Sequence, residues 1–426
     1  MRFSVLLTII LVSFNLLAQN PYLDSLKMVS DTAEISVRVR AKINLSLAYR
    51  GNGEYPLFEQ EIREAIKLGE KSPDKKPLVH ALNVRGWTLS YPPKVHLDST
   101  VYYVSKGREL AKSIDYRLGL AESYYELGYH YAYFKSDQED SVLNFFTSAI
   151  DLYDKNDDRE LNMTLDAYKN LSFYFNRIGK VERALSFVDS AESYREDPHI
   201  MNVRAIIYDN TGQYAKAIDT YLQSLSLSLA NNDTMSINGS YNNIAAAYGN
   251  QGNELKAKEY FLKSWNITRL KMGSMGGFDI VQILRNLGLV YTALDQTDSA
   301  QYYFKKAISE GESRNVIDPM YAPYYGMGDM YYRLGLLDSA TWYLNKSLVY
   351  SEKANEYRVR SSSKRTLGDI AYDKGEYTIA LKWYNDALTD AESSDYVKTM
   401  TDAYEGIYKV QNRLGNFKEA LVAHEL

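Results

Sequence analysis

Five histidines, at positions 80, 96, 130, 199 and 424, are the chain's only imidazoles, and no two have the His-Glu-x-x-His spacing that places a pair of ring nitrogens on one helix face for zinc. The sequence has no cysteine, which removes thiolate ligands, disulfides and a lipid-modified cysteine. Gly326-x-Gly328 shares two glycines with a dinucleotide-binding turn, but it lies within helical periodicity rather than between a strand and a helix. The run "KMGSMGGF" at 271–278 lacks the Lys-Ser/Thr ending of a phosphate loop and reads as a link between two periodic segments. No nucleophile elbow or triad can be assembled, and with 54 acidic residues some carboxylate pairs arise by chance. The expectation is a non-enzymatic chain with no catalytic residues, no cofactor and no metal.

The residues that remain are of binding type, and a repeat positions them. "LRNLGLVYTALDQTDSAQYYFKKAI" at 284–308 is answered forty residues later by "YYGMGDMYYRLGLLDSATWYLNKSL" at 324–348. In each, a small residue sits among large ones at spacings of three and four, a turn follows, and a second such stripe begins, which predicts two successive amphipathic helices, A and B. The same register places small helix-A residues at Ser46, Gly86, Gly128, Ser172, Ala205, Ala245, Gly288, Gly328 and Gly368, with Tyr408 as the exception in copy ten. Helix B supplies Ala65, Gly107, Ala149, Ala191, Ser224, Ser264, Ala307, Ser347 and Ala387, and from copy four onward its first contact is always alanine. Seven positions after the small helix-A residue stands a glycine in seven copies, suited to a left-handed helix end; Asp295 takes that place in copy seven. The prolines fall in turns or first helical turns, where the fixed φ and missing N–H do no harm.

This pattern resembles the tetratricopeptide repeat, in a long-helix variety, since most copies here are 40 residues apart rather than the family's 34. The resemblance implies an all-α fold, a right-handed α-solenoid of about ten repeats over 41–426, preceded by a helical lead-in at 19–40. It also implies a concave face lined mainly by the A helices, on which a protein or extended peptide would lie. The helix-A positions that face inward in this family fall here at Trp87, Tyr91, Tyr125, Tyr129 and Tyr133, an aromatic group, and at Asn202, Asn242, Arg285, Tyr325 and Arg365. Aromatic rings suit apolar side chains, and amides can hydrogen-bond a peptide backbone of any sequence. Most of the 39 tyrosines are expected to be packing residues, and Asn44, Asn170, Asn243 and Asn286 are expected to make hydrogen bonds internal to the array.

Arg2 followed by an apolar run to Leu17 and the small Ala18 reads as a signal peptide over 1–18, so the chain is expected in the periplasm or envelope of a Gram-negative cell. The membrane would be a partner only if this segment stays uncleaved or the native chain continues past Leu426. A formal charge of −5 with no basic, aromatic-interleaved cluster argues against nucleic acid. Copy ten ends early, with Ala420, Leu421 and Val422 lacking a polar cap, so another chain docking there is a further expectation. Exported long-helix repeats also resemble the extracytoplasmic portions of bacterial sensors, histidine kinases or helix-turn-helix regulators, whose output module is not in these 426 residues.

Overall fold

The computed structural model describes residues 21–425 except 52–53, 90–95, 136, 272–275 and 394–396; residues 1–18, Gly53, Tyr91, Pro92 and Pro93 therefore lie outside the described residues. Those described form 21 α-helices and no strand. The chain divides into two compact units, one ending at Glu196 and one beginning at Asp197.

The first unit contains α1 (Pro21–Thr32), α2 (Ile35–Gly51), α3 (Tyr55–Lys71), α4 (Lys76–Thr88), α5 (Leu97–Ser113), α6 (Arg117–Phe134), α7 (Glu139–Leu152), α8 (Asp158–Arg177) and α9 (Val181–Glu192). The second contains α10 (Pro198–Asn210), α11 (Tyr214–Ala230), α12 (Thr234–Asn250), α13 (Glu254–Leu270), α14 (Gly277–Ala293), α15 (Thr297–Ser313), α16 (Tyr321–Arg333), α17 (Leu337–Ala354), α18 (Tyr357–Asp373), α19 (Tyr377–Glu392), α20 (Val397–Leu414) and α21 (Phe417–Glu425). From α2 onward, even-numbered helices are A helices and odd-numbered ones are B helices. Repeat one begins at Ile35, inside the stretch read from sequence as a lead-in, and α1 packs on its first helix. Many helices run 17 residues, which accounts for the long repeat; α9 and α10, at 12 and 13, flank the one 33-residue spacing.

Each unit is an α-solenoid built on one contact. A β-carbon added at Gly288 on α14 would fall 2.5 Å from the Phe304 ring of α15, and one at Gly328 2.7 Å from Leu344. Gly86, Gly128 and Gly368 are filled likewise by Val104, Phe146 and Tyr384. The filler stands 16 residues after the notch in the later copies and 18 after it in copies two and three, where the inner turn is longer. Where the small residue is Ser46, Ser172, Ala205 or Ala245 it is 0% exposed, as are the helix-B residues Ala65, Ala149, Ala191, Ser224, Ser264, Ala307, Ser347 and Ala387. All three helix-B serines also donate back to helix A across the pair, Ser224 to the Pro198 carbonyl at 2.8 Å, Ser264 to Asn238 Oδ1 at 2.8 Å and Ser347 to the Tyr321 carbonyl at 2.9 Å.

Turn chemistry follows the expectation. Gly179, Gly212, Gly252, Gly335, Gly375 and Gly415 all have positive φ, and Asp295 adopts it in the copy without glycine. A second left-handed set, unforeseen from the sequence, comprises Asp115, Asn232, Asn315 and Asn355 in the turns after B helices. Asp157, Asp197, Asp233 and Asn253 cap the following helices through their side-chain oxygens. Tyrosine is mainly a packing residue, as expected: Tyr248 stacks on Tyr260, Tyr291 on Tyr303 and Tyr331 on Tyr343, twelve residues apart each time, with ring centroids 5.2–5.7 Å apart.

A helices of neighbouring repeats touch, as α2, α4, α6 and α8 do in the first unit and α14, α16, α18 and α20 in the second, while the B helices do not pack on one another across repeats. The A side is accordingly the tighter, inner face of each unit. On that face of the first unit, Glu126 of α6 finds no partner among the described residues; burial, with Glu122 adding repulsion, pushes its pKa up to about 8.

Gly288→Val, which drives a branched side chain into Phe304, is expected to cost about 3 kcal/mol and to remove amide-exchange protection from α14 to α16. Gly335→Ala, in open space at positive φ, is expected to cost about 1 kcal/mol in the same measurement. Because Glu126 keeps its proton in the fold up to about pH 8 and loses it near pH 4.5 when unfolded, its contribution to stability falls as pH rises between those values. Glu126→Gln is expected to flatten that fall and to gain on the order of 1–3 kcal/mol at pH 9, read by urea unfolding at pH 5 and 9.

Candidate functional site

In the first unit the aromatic residues expected on the inner face are present but already engaged. Tyr125 of α6 is largely buried; its hydroxyl oxygen accepts from Asn170 Nδ2 of α8 at 3.1 Å and its ring meets Phe146 edge-on at 5.7 Å, so it joins repeats rather than facing a ligand. Tyr129 and Tyr133 lie one helical turn apart with ring centroids at 4.4 Å. Arg177 of α8 stands over the Tyr133 ring at 5.5 Å and donates to the Ala132 carbonyl oxygen. Trp87 of α4 carries Arg50 of α2 over its ring at 4.9 Å. Helix stacking thus brings an arginine from a neighbouring A helix onto the outer aromatic rings.

The second unit carries the polar part of the set. Asn286 Nδ2 of α14 donates to Asn242 Oδ1 of α12 at 3.1 Å, and Asn250 Nδ2 donates to both Asp209 oxygens at 3.2 and 3.1 Å. Asn170 and Asn286, assigned from sequence to internal bonds, do bridge A helices, and Asn242, assigned to the groove, is the acceptor of one of those bonds. Beside it, a cavity of ≈ 220 Å³ opens between α12 and α14, lined by Asn238, Gly239, Asn242, Phe278 and Gln282. Asn202 Oδ1 of α10 is buried with no hydrogen-bond donor among the described residues.

A larger cavity, ≈ 320 Å³, lies on the inner face where α14, α16 and α18 meet, with Gln282, Arg285, Tyr321, Tyr325, Arg358 and Ser362 in its wall and Glu356 at the α18 cap. Arg285 and Tyr325 occupy the equivalent place, three residues before the small residue of their helices. Arg285 Nη1 donates to Asn286 Oδ1 at 2.9 Å, while its Nε is sealed from solvent with no acceptor among the described residues. Desolvation pushes the guanidinium's pKa down from its ordinary value; Arg358 adds to this and Tyr321 opposes it. Arg365, at the same place in α18, has its charge answered by Asp369 at 2.5 Å and by Asp402 at 3.9 Å.

Tyr321, Gln282, Arg358 and Ser362 were not among the residues expected from sequence. Gln282, Tyr321 and Ser362 stand six or seven residues before the small position, one helical turn ahead of the register that located Arg285 and Tyr325, so stepping back three or four residues along helix A finds them. Among the described residues no group of three or more histidine, aspartate or glutamate side chains could hold a metal, and no helix is long and apolar enough to cross a membrane.

Comparison with curated proteins gives no match. Among solved structures, the chain resembles a signal transduction ATPase with numerous domains from Pyrococcus horikoshii that has a tetratricopeptide repeat sensor (14% identity, TM-score 0.54, 95% of this chain and 62% of that longer one). It also resembles a Rap protein complexed with Competence and Sporulation Factor (14% identity, TM-score 0.53, 91% and 96%) and a tetratricopeptide repeat protein from Parabacteroides merdae (18%, TM-score 0.47, 66% and 98%). The tetratricopeptide repeat family model matches residues 198–231, 239–267 and 281–310, all within the second unit. The chain therefore carries tetratricopeptide repeats over those residues, and helix pairs with the same notch-and-filler packing recur on both sides of them.

Proposed function

We propose that this chain is a non-enzymatic scaffold that grips an extended peptide or protein segment on the inner, A-helix face of its second unit. The observation that carries the reading is a set of unfilled polar valences on that face: an acceptor at Asn202 Oδ1, a donor at Arg285 Nε, and two cavities beside Asn242 and Tyr325. A buried polar atom without a partner costs about 1–3 kcal/mol, and an extended backbone offers both N–H and C=O groups to such atoms. The Rap protein of this fold, solved in complex with a factor, supports the reading by analogy. In the first unit, Arg50 and Arg177 cover the rings that would otherwise receive apolar side chains, which favours the second unit as the binding face.

The residue pattern of 1–18 supports export to the cell envelope. Whether the chain acts alone or as the sensory portion of a signal-transduction protein, the face that binds is the same.

Selection from a random peptide display library against the full chain is expected to yield binders that weaken about tenfold with Asn242→Ala/Tyr325→Ala and are unchanged with Trp87→Ala/Tyr129→Ala. A failure to select any peptide, or equal binding by all three proteins, would remove this face from the account. Mass spectrometry of the chain recovered from the periplasmic fraction of a Gram-negative host is expected to find an N-terminus at Gln19; an intact Met1 in the cytoplasmic fraction would end the export reading.

A further inference from the structure

A cavity of ≈ 450 Å³ opens on the B-helix side of the second unit, between α15 and α17, which do not pack on one another. Lys305, Ser309 and Glu312 of α15 line it at spacings of four and three, so they share one stripe of that helix. Buried Tyr324 of α16 and Trp342 and Tyr343 of α17 supply the facing wall. The Trp342 ring meets Tyr343 edge-on with centroids 4.7 Å apart, lies 6.4 Å from the Tyr324 ring, and is 51% exposed. The Tyr324 hydroxyl donates to Glu312 Oε1 at 2.6 Å, which fixes the carboxylate at the wall and leaves Oε2 without a donor among the described residues. Lys305 Nζ and Ser309 Oγ also have no partner among them. Seven residues separate Lys305 from Glu312, about 10 Å along the helix axis, so the two charges do not answer each other.

The wall thus offers a cation, a carboxylate and a flat aromatic surface together. A bound anion would face Glu312, and a bound cation would face Lys305, with Lys346 already over the indole at 5.5 Å. An extended peptide would find no main-chain partner, because helices whose backbone groups bond internally form the walls. A neutral sugar ring uses every part. Its C–H bonds make an apolar face that lies flat on an aromatic ring, and its hydroxyls, each both donor and acceptor, radiate from the edge. The aromatic wall is not a demand of the repeat. Forty residues on, in the groove between α17 and α19, Lys364 and Lys382 stand where Tyr324 and Trp342 do here.

We propose that the cavity between α15 and α17 is a binding site for a neutral hexopyranose unit of a saccharide, which stacks on Trp342 and is hydrogen-bonded by Lys305 and Glu312. Lys305 Nζ donates to ring hydroxyls, Glu312 Oε2 accepts from them, and Ser309 Oγ does either. Tyr324, bonded to Oε1, holds the carboxylate in place for this. A volume of ≈ 450 Å³ lies within the range of about 300–1,000 Å³ usual for small-molecule sites. The site is on the B-helix side, so it stands independently of peptide binding on the inner face.

The test uses the full chain with its four tryptophans replaced by fluorotryptophan, the Trp342 fluorine resonance being assigned by its loss in Trp342→Phe. The chain is titrated with maltotriose, cellotriose and chitotriose, with sorbitol as an acyclic polyol, and with choline chloride and sodium acetate as charged probes. A saturable shift of the Trp342 resonance alone is expected with at least one trisaccharide, and none with sorbitol, choline or acetate. No shift with any trisaccharide, or an equal one with sorbitol, would overturn the site. By calorimetry, Trp342→Ala is expected to bind that trisaccharide at least about tenfold more weakly. Glu312→Gln and Lys305→Met are each expected to weaken it about three- to tenfold. Both positions are exposed, so these two variants keep the test valid even if Trp342→Ala melts low. Tighter binding by Lys305→Met with a response to choline would make the cavity a cation site, and tighter binding by Glu312→Gln with a response to acetate an anion site; either result sinks the saccharide. A Trp342 shift with a display-selected peptide and with no trisaccharide would give the groove to peptides instead.

Discussion

A notch the size of a missing side chain on one helix, with a large side chain laid into it from the next, is the contact on which every repeat depends. Gly288 under Phe304 and Gly368 under Tyr384 show it most plainly: any side chain at the glycine would occupy the volume of the ring. Close approach of the two backbones is what lets a stripe of single residues from each helix exclude water, and the dispersion attraction across that seam needs near-zero clearance. Phe304 serves two repeats at once, since it also fills the space over Gly326 on the following A helix. Tyr384 does the same between Gly368 and Gly406. Stability in such a stack is shared between neighbours and does not belong to any single copy.

That packing uses one stripe of each A helix and leaves another facing inward, and what happens there differs between the units. In the first, arginines from adjacent repeats cover Trp87 and Tyr133, and Tyr125 is absorbed into a bond with Asn170. In the second, amide pairs such as Asn242 with Asn286 tie the A helices together while leaving cavities on either side. Polar groups on a tightly stacked face are either matched within the array or left without a partner in it. Arg365 is matched by carboxylates, whereas Arg285 Nε finds no acceptor among the described residues, although the two occupy equivalent places in their repeats.

The fold was legible to a large extent because its determinants are local and repeated. The small residues that the register picked out are buried wherever the structure describes them, and the left-handed glycines stand where a helix must end cheaply. The left-handed Asp115, Asn232, Asn315 and Asn355 were missed because asparagine and aspartate also serve as caps, so their identity alone does not separate the two uses. The candidate site was legible only in part. Counting from the small residue found Arg285 and Tyr325 but overlooked Tyr321 and Ser362, which reach the same cavity from one turn earlier.

The amino-acid order by itself determined the helices, their pairing and which stripe of each is buried, because side-chain size at spacings of three and four acts within a few residues and recurs about every forty. Which polar side chains remain without partners was decided only by the tertiary structure. A guanidinium's partner sits on another helix as often as on its own: Arg177 crosses to a ring 44 positions back, Arg365 reaches Asp402 as well as its own Asp369, and Arg285 finds a cavity. Desolvation and pairing depend on distances that only stacking sets, and those distances separate an arginine matched by carboxylates from one that is not.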